Sequence, residues 1–285
     1  MAPAPIEIPL GDLTFDALAD GPADGAPVLL LHGFPESSWT WRHVQPALAT
    51  AGYRTIAPDQ RGYSPRARPA DPSAYAMETL VADALAFADS QDWDTFHLVG
   101  HDWGGAVAWH VAGRHPERLR TLSVVSTPHP IAFQAAKDAG PSADGDDQAA
   151  RSSYIQFFRE PGAEELFLAE GGAAFRMALD ATGMAQKSID RYLAALSTPE
   201  AVIGALNWYR GADVTDSNGL GPITTPTLYV WSTGDTALGR TAAEGTAAHV
   251  DGPYRFEVLP DVSHWIPEAA PDRLTAFLLA HLGDG

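Results

Sequence analysis

Gly100-His101-Asp102-Trp103-Gly104-Gly105 lies between an apolar run, Phe96-His97-Leu98-Val99, and a stretch of helical character from Gly104 to His115. A strand that ends in a Gly-x-Asp-x-Gly turn and leads at once into a helix predicts an elbow. The glycines leave room for a sharp, strained turn that lifts the middle side chain out of the sheet, where Gly-x-Ser-x-Gly enzymes carry their serine. Here the middle residue is Asp102. The N-terminus of the following helix favours an ionised carboxylate, and a carboxylate at neutral pH already attacks an sp³ carbon to form an ester. Asp is also a favoured helix N-cap, which is the local alternative. The flanking glycines and the strand favour the elbow.

Working outward, Val28-Leu29-Leu30-Leu31 is an apolar run stopped by His32-Gly33, as a buried parallel strand would be. Tyr53-Arg54-Thr55-Ile56-Ala57 ends at Pro58-Asp59, and Leu122 to Val125 reads as a further strand. Met77 to Ser90 has helical spacing at Leu80, Ala84, Leu85 and Ala88. Strands separated by helices imply a parallel sheet with its site at the strands' carboxyl ends. From Pro128 to Thr225 the pattern holds helices and loops without a convincing strand, and Asp138 to Asp147 is polar and predicted mobile. Strands return at Thr227-Leu228-Tyr229-Val230-Trp231 and at Tyr254 to Val258, and a helix from Pro271 to His281 closes the chain. The expected organisation is one mostly parallel α/β sheet in two parts, residues 1–127 and 226–285. A helical insertion, residues 128–225, would cover the sheet's carboxyl edge.

Composition narrows the function. Of 285 residues, 45% are hydrophobic and 19% charged, enough apolar material for a sizeable core. With 18 basic and 36 acidic side chains the net charge is −18, which opposes nucleic-acid binding through a basic face. No cysteine is present, so disulfides, thiolate metal sites and cysteine nucleophiles are excluded together. Met1 to Asp12 has neither the basic nor the apolar region of a signal peptide. No window approaches the ~20 apolar residues of a membrane helix. The expectation is a soluble, cytoplasmic protein without metal or cofactor.

Other residues fit the elbow. His32-Gly33-Phe34-Pro35 follows a strand where a loop would supply one backbone N–H of an oxyanion hole, from Phe34; Trp103, after the nucleophile, would supply the second. Each such donor is worth roughly 3 kcal/mol of transition-state stabilisation. Asp235 follows the Thr227–Trp231 strand and His264 follows the last one, so Asp102, Asp235 and His264 run in the order nucleophile, acid, base. Asp261 is a rival acid, whereas Ser126-Thr127-Pro128-His129 offers no carboxylate. His32 and His101 are read as packing and hydrogen-bonding supports. Tyr154, Phe157 and Phe158 share one helical face, and Val202, Leu206 and Tyr209 another; by periodicity alone such stripes are usually core.

Taken together, His32-Gly33-Phe34-Pro35-Glu36, Gly100-His101-Asp102-Trp103-Gly104-Gly105, Tyr154 to Gly162, Asn207-Trp208-Tyr209-Arg210 and Ser263-His264-Trp265 resemble the soluble epoxide hydrolases of the α/β-hydrolase superfamily. The resemblance spans roughly Val28 to the C-terminus. It departs at Arg61-Gly62-Tyr63-Ser64-Pro65, where that family more often has glycine after the tyrosine. It implies that Tyr154 and Tyr209 bind the epoxide oxygen, that Asp102 forms an alkyl-enzyme ester, and that His264, oriented by Asp235, activates the water that cleaves it. Pro35, Trp103, Phe157 and Trp265 are expected to line the pocket of a small apolar epoxide, with water as co-substrate. A haloalkane or haloacid dehalogenase would share the Asp nucleophile. The haloalkane enzymes usually carry Asn where this chain has Phe34, and the fluoroacetate enzymes Arg where it has Trp103. A non-catalytic binding protein is the reading from another class, and an intact Asp102, Asp235 and His264 set argues against it. Oligomeric state stays open.

Overall fold

The computed structural model describes residues 3–283. Eight strands form one sheet: β1 (Ala4–Leu10), β2 (Leu13–Asp20), β3 (Ala26–Leu31), β4 (Tyr53–Pro58), β5 (Phe96–His101), β6 (Leu119–Val125), β7 (Thr227–Gly234) and β8 (Tyr254–Ser263). Their spatial order is β1-β2-β4-β3-β5-β6-β7-β8. All pairings from β4 across to β8 are parallel; β1–β2 and β2–β4 are antiparallel. The predicted parallel α/β sheet is therefore present. The antiparallel pair at one edge lay outside the sequence reading. Its alternation is carried by Phe15, Ala17 and Ala19, buried on one face, and two alanines give a weak apolar signal.

Thirteen α-helical segments accompany the sheet among the described residues. In the first part they are α1 (Val44–Thr50), α2 (Met77–Asp89) and α3 (Trp103–Arg114). Between β6 and β7 come α4 (Pro130–Ala139), α5 (Gln148–Arg151), α6 (Tyr154–Arg159), α7 (Ala163–Leu168), α8 (Ala173–Ala181), α9 (Gln186–Ala195) and α10 (Pro199–Gly211). The last three are α11 (Arg240–Gly245), α12 (Ile266–Ala269) and α13 (Pro271–Leu282). The continuous apolar run of β3 is explained by burial on both faces. Val28 and Leu30 join a core with α1 and α13, whereas Leu29 and Leu31 join the larger core with α2 and α3.

The long excursion between β6 and β7 is not uniform. α4 packs back on α11, and His129 N–H donates to Thr246 Oγ1 at 3.0 Å. The Asp138–Asp147 segment, expected to be mobile, is tied down at its far end: Asp146 accepts Arg151 Nε at 2.8 Å and Thr241 N–H at 2.9 Å. α10 begins at a Thr198 cap with Pro199 in its first turn. It docks on the first part of the chain through Trp208, whose indole donates to the Arg61 carbonyl at 2.7 Å. That contact seats the loop in which Ser64 replaces the expected glycine. No helix among the described residues is long and apolar enough to cross a membrane.

Trp109 of α3 is fully buried, and its indole donates to the Thr127 carbonyl at 3.0 Å, pinning the chain where it leaves β6. Trp109→Ala removes both ring and donor. It should cost about 3–5 kcal/mol and lower the melting temperature by about 10 °C; a shift under 2 °C by thermal circular dichroism would contradict this packing.

Candidate active site

Asp102 sits between the last residue of β5 and the first of α3 with φ 51° and ψ −119°. A non-glycine residue held there stores about 1–3 kcal/mol of strain. The surroundings enforce it. Asp102 carbonyl accepts Ala106 N–H at 3.0 Å and Thr127 Oγ1 at 2.7 Å. The neighbouring backbone is so close that a Cβ on Gly104 would stand 2.4 Å from the Leu31 carbonyl oxygen, and one on Gly33 would stand 2.3 Å from Asp102 Cβ. The Asp102 side chain caps no N–H of α3, so the N-cap alternative does not describe it.

The carboxylate is instead shared between two distant loops. Oδ1 accepts the Phe34 N–H at 2.8 Å, and Oδ2 faces His264 Nε2 at 3.5 Å. His264, directly after β8, turns its other nitrogen to Asp235, with Nδ1 to Oδ2 at 2.7 Å. Asp235, directly after β7, is fixed by the N–H groups of Ala237 and Leu238, which donate to Oδ1 at 2.8 and 2.9 Å. Asp261, the rival acid, is exposed, and the bonds of His264 go elsewhere. Burial would raise the Asp102 carboxyl, but the hydrogen bond and charge of His264, then the His101 charge and the Phe34 N–H, hold it below the usual carboxylate range. Burial would lower His264, yet Asp235 and Asp102 on either side hold the imidazole well above its ordinary value. The site therefore rests with an ionised Asp102 against an imidazolium.

Beneath it lies a second pair that sequence reasoning did not find. Glu36 and His101 are both fully buried, with His101 Nδ1 at 2.7 Å from Glu36 Oε2. Glu36 also accepts Gly33 N–H at 3.2 Å and Thr40 Oγ1 at 2.8 Å. Burial pushes its carboxyl up, and the His101 charge with these donors brings it below its ordinary value. His101 Nε2 must donate to the His264 carbonyl, at 3.0 Å, because a carbonyl only accepts. Both ring nitrogens thus face oxygen atoms of fixed groups, Glu36 on one side and the His264 carbonyl on the other. His32 differs: Nδ1–H donates to the Gly33 carbonyl at 2.9 Å while Nε2 accepts Gln60 N–H at 3.1 Å, which defines a neutral ring. Only the adjacency of Glu36 to His32-Gly33-Phe34-Pro35 hinted at its place.

Above Asp102 a cavity of ≈ 380 Å³ opens, lined by Asp102, His264, Tyr154, Tyr209 and a mostly apolar wall. Tyr154 comes from α6 and Tyr209 from α10, with ring centroids 6.3 Å apart. Burial, and then the Asp102 charge beside Tyr154 and the Tyr154 and Asp102 charges beside Tyr209, push both phenols far above their ordinary value, so both hydroxyls stay protonated. Pro35, Phe157 and Trp265 line this cavity as expected. Trp103 does not. As the first residue of α3 it is turned behind Asp102, packs edge-on to Tyr209 at 5.1 Å, and lines a separate void of ≈ 20 Å³. Phe167, Phe175 and Leu179 of α7 and α8 complete the wall and were not singled out from sequence, although Phe175 and Leu179 stand at i, i+4.

The family signature described as alpha/beta hydrolase fold matches residues 26–271. The chain belongs to the α/β-hydrolase fold family. It is 33% identical over 282 residues to the AB hydrolase superfamily protein YfhM of Bacillus subtilis, covering 95% of this chain and 94% of that one. It is 32% identical to Epoxide hydrolase A of Mycobacterium tuberculosis, over 90% of this chain and 91% of the other. Among solved structures, one of the novel epoxide hydrolases from metagenomes of hot environments superposes with a TM-score of 0.84 at 31% identity over 99% of both chains. Epoxide Hydrolase A from Mycobacterium thermoresistibile gives 0.80 at 28% identity, over 99% of this chain and 98% of that one. Within its α/β-hydrolase family the chain groups with epoxide hydrolases.

Glu36→Gln replaces the buried carboxylate that faces His101, Gly33 N–H and Thr40 Oγ1 by a neutral amide. Breaking a buried pair in this way should cost about 3–5 kcal/mol, read as a lower midpoint in urea at pH 7; an unchanged midpoint would mean that the Glu36–His101 contact adds nothing to stability.

Proposed function

We propose that the protein hydrolyses epoxides to vicinal diols in two steps, through an ester on Asp102. The observation that carries this reading is the placement of two neutral phenols and one ionised carboxylate on the same cavity. The carboxylate is held by Phe34 N–H at 2.8 Å, with His264 at 3.5 Å. An Asp102 oxygen attacks one ring carbon, and the carbon–oxygen bond of the epoxide breaks. Tyr154 and Tyr209 hydrogen-bond the leaving oxygen and supply its proton, an acid contribution of about 10²–10⁴-fold. Two phenols suit an oxygen leaving group, which must take up a proton, where a departing halide takes none, so the dehalogenase reading is the weaker one.

Esterification removes the Asp102 charge, and with it one of the two carboxylates that raise His264. The imidazole then gives up its proton, which returns the phenolate to phenol, while Asp235 still orients the ring. His264 takes a proton from water, the hydroxide attacks the ester carbonyl, and the N–H groups of Phe34 and Trp103 hold the oxyanion. Collapse expels the diol, with the His264 proton passing to its leaving oxygen, and the proton of the regenerated Asp102 carboxyl returns to His264 to restore the resting pair. The helices between β6 and β7 act as a cap in this scheme, bringing Tyr154 and Tyr209 over Asp102. Substrate and water are the only small molecules the reaction consumes.

His264→Gln should trap the ester as protein mass plus substrate, whereas Asp102→Asn should form none. In the wild type the sign follows from the raised His264: acid pH keeps it protonated after alkylation, while Asp102, held low, still attacks. The ester should therefore accumulate near pH 5 and decay on a jump to pH 8, measured by rapid-quench mass spectrometry. Absence of any adduct in His264→Gln, on a substrate the wild type hydrolyses, sinks the two-step scheme.

Tyr154→Phe and Tyr209→Phe each remove one hydroxyl and no ring. Each should slow alkylation by about 10-fold or more, and the double change by about 10³-fold or more, the two losses sharing one acid role. Single-turnover rates decide, and a double variant near the wild-type rate would return both residues to plain packing.

A further inference from the structure

The segment that leaves β6, Ser126-Thr127, carries no acid, yet both residues are buried and lie between the elbow and the last loop of the site. Ser126 is held at φ 71°. Glycine would take that backbone without strain, whereas a serine is strained in it. What the serine adds is its hydroxyl. Ser126 Oγ donates to the His264 carbonyl at 3.0 Å, and Thr127 Oγ1 donates to the Asp102 carbonyl at 2.7 Å. Two successive hydroxyls thus grip the backbone of His264 on one side and of Asp102 on the other. His101 Nε2 shares the His264 carbonyl at 3.0 Å, but its other nitrogen goes to Glu36, so it makes no link to Asp102. The segment is itself anchored from behind. The Tyr229 hydroxyl donates to the Ser126 carbonyl at 2.8 Å and the Trp109 indole to the Thr127 carbonyl at 3.0 Å, and both rings are fully buried. Between the two gripped residues, Asp102 Oδ2 and His264 Nε2 stand 3.5 Å apart. An unrestrained carboxylate and imidazolium close to about 2.7–2.9 Å.

We propose that Ser126-Thr127 is a strut that sets the gap between Asp102 and His264, with Ser126 the positioning residue for His264 and Thr127 the one for Asp102. Both act through a backbone carbonyl and neither touches the reacting atoms. The proposal deepens the two-step reaction and rests on it for the roles of nucleophile and base, but the gap itself needs no substrate. Opposite charges in a desolvated site attract strongly, so the pair must be held open. A carboxylate oxygen bonded directly to the imidazolium has a lone pair tied up and attacks carbon more slowly. An imidazolium bonded directly to the carboxylate also keeps its proton more tightly. The strut opposes that closure and leaves the attacking oxygen free.

Three variants test the strut. Ser126→Gly removes the hydroxyl and relieves the backbone strain, Thr127→Val removes the hydroxyl and keeps the shape, and Thr127→Ser keeps the hydroxyl. In the first two the pair should close. The His264 imidazolium should then hold its proton about threefold more tightly, a titration midpoint higher by about half a pH unit. That midpoint is read by NMR on protein carrying ¹⁵N-labelled histidine, with no substrate present. Single-turnover alkylation by an epoxide should slow about tenfold in both, and Thr127→Ser should stay within about twofold of the wild type in both measurements. A segment that only added stability would lower the melting temperature without raising the midpoint. A midpoint that stays or falls in either Ser126→Gly or Thr127→Val overturns the strut, and so does alkylation at the wild-type rate in both. The two arms separate the strut from the reaction. A raised midpoint in a protein that alkylates with no epoxide leaves the strut standing and removes the epoxide reading. An unchanged midpoint with intact two-step turnover does the reverse.

Discussion

The left-handed backbone at Asp102 is the constraint on which the site depends. A residue with φ 51° between a buried strand and a helix cannot point its side chain back into either. It must stand out over the carboxyl edge of the sheet. That geometry persists only because three stretches of backbone crowd the turn: the end of β3, the loop at Gly33 and the first turn of α3. The crowding that forbids a Cβ on Gly104 also brings Phe34 N–H to 2.8 Å from the carboxylate. Strain in the elbow and the Phe34 N–H bond to the carboxylate are thus one structural fact seen from two sides.

Charge is layered outward from that point. Asp102 is balanced by His264, and His264 by Asp235. His101 lies behind, bonded to the His264 carbonyl on one side and to Glu36 on the other. Three carboxylates in a desolvated volume are tolerated because each faces an imidazole ring and hydrogen-bond donors, since a lone buried charge would cost several kcal/mol. The arrangement is also poised. In the proposed reaction, neutralising Asp102 leaves His264 with one carboxylate instead of two, so the imidazole holds its proton less tightly.

The helices between β6 and β7 contribute through two segments of different character. α10 is long, capped at Thr198 and tied to the sheet side through Trp208, so Tyr209 stands on a rigid post. α6 is a six-residue helix whose residues are part-exposed, so Tyr154 owes its place to packing against Phe158 and Tyr209. The apolar wall between them comes from α7 and α8, and its one charged interruption is held by Asp146, in a loop whose polar sequence gave no sign of such a role.

What sequence alone determined was everything that depends on near neighbours. β3, β5, β6 and β7 were legible because largely apolar runs stopped by Gly, Pro or a polar turn allow few alternatives to a buried parallel strand, and β8 because Tyr254, Phe256 and Val258 alternate with Arg255 and Glu257. The elbow was legible because its glycines, strand and helix are contiguous, and Asp235 and His264 because each directly follows a strand and so reaches the same edge. The β1–β2 hairpin was lost because two of its inward positions are alanines. The Glu36–His101 pair joins residues 65 apart in the chain, and no local pattern encodes which buried acid meets which imidazole. Trp103 kept its predicted place in the chain but left the main cavity, because the left-handed turn before it, not its apolarity, sets its direction. Arg151 carries no motif, and only α5 set beside the loop of Asp235 brings it to the cavity wall. Backbone preference and burial periodicity act over a few residues, whereas the partner of a charge, the wall of a cavity and the proton of a histidine are decided only when distant loops close on one another.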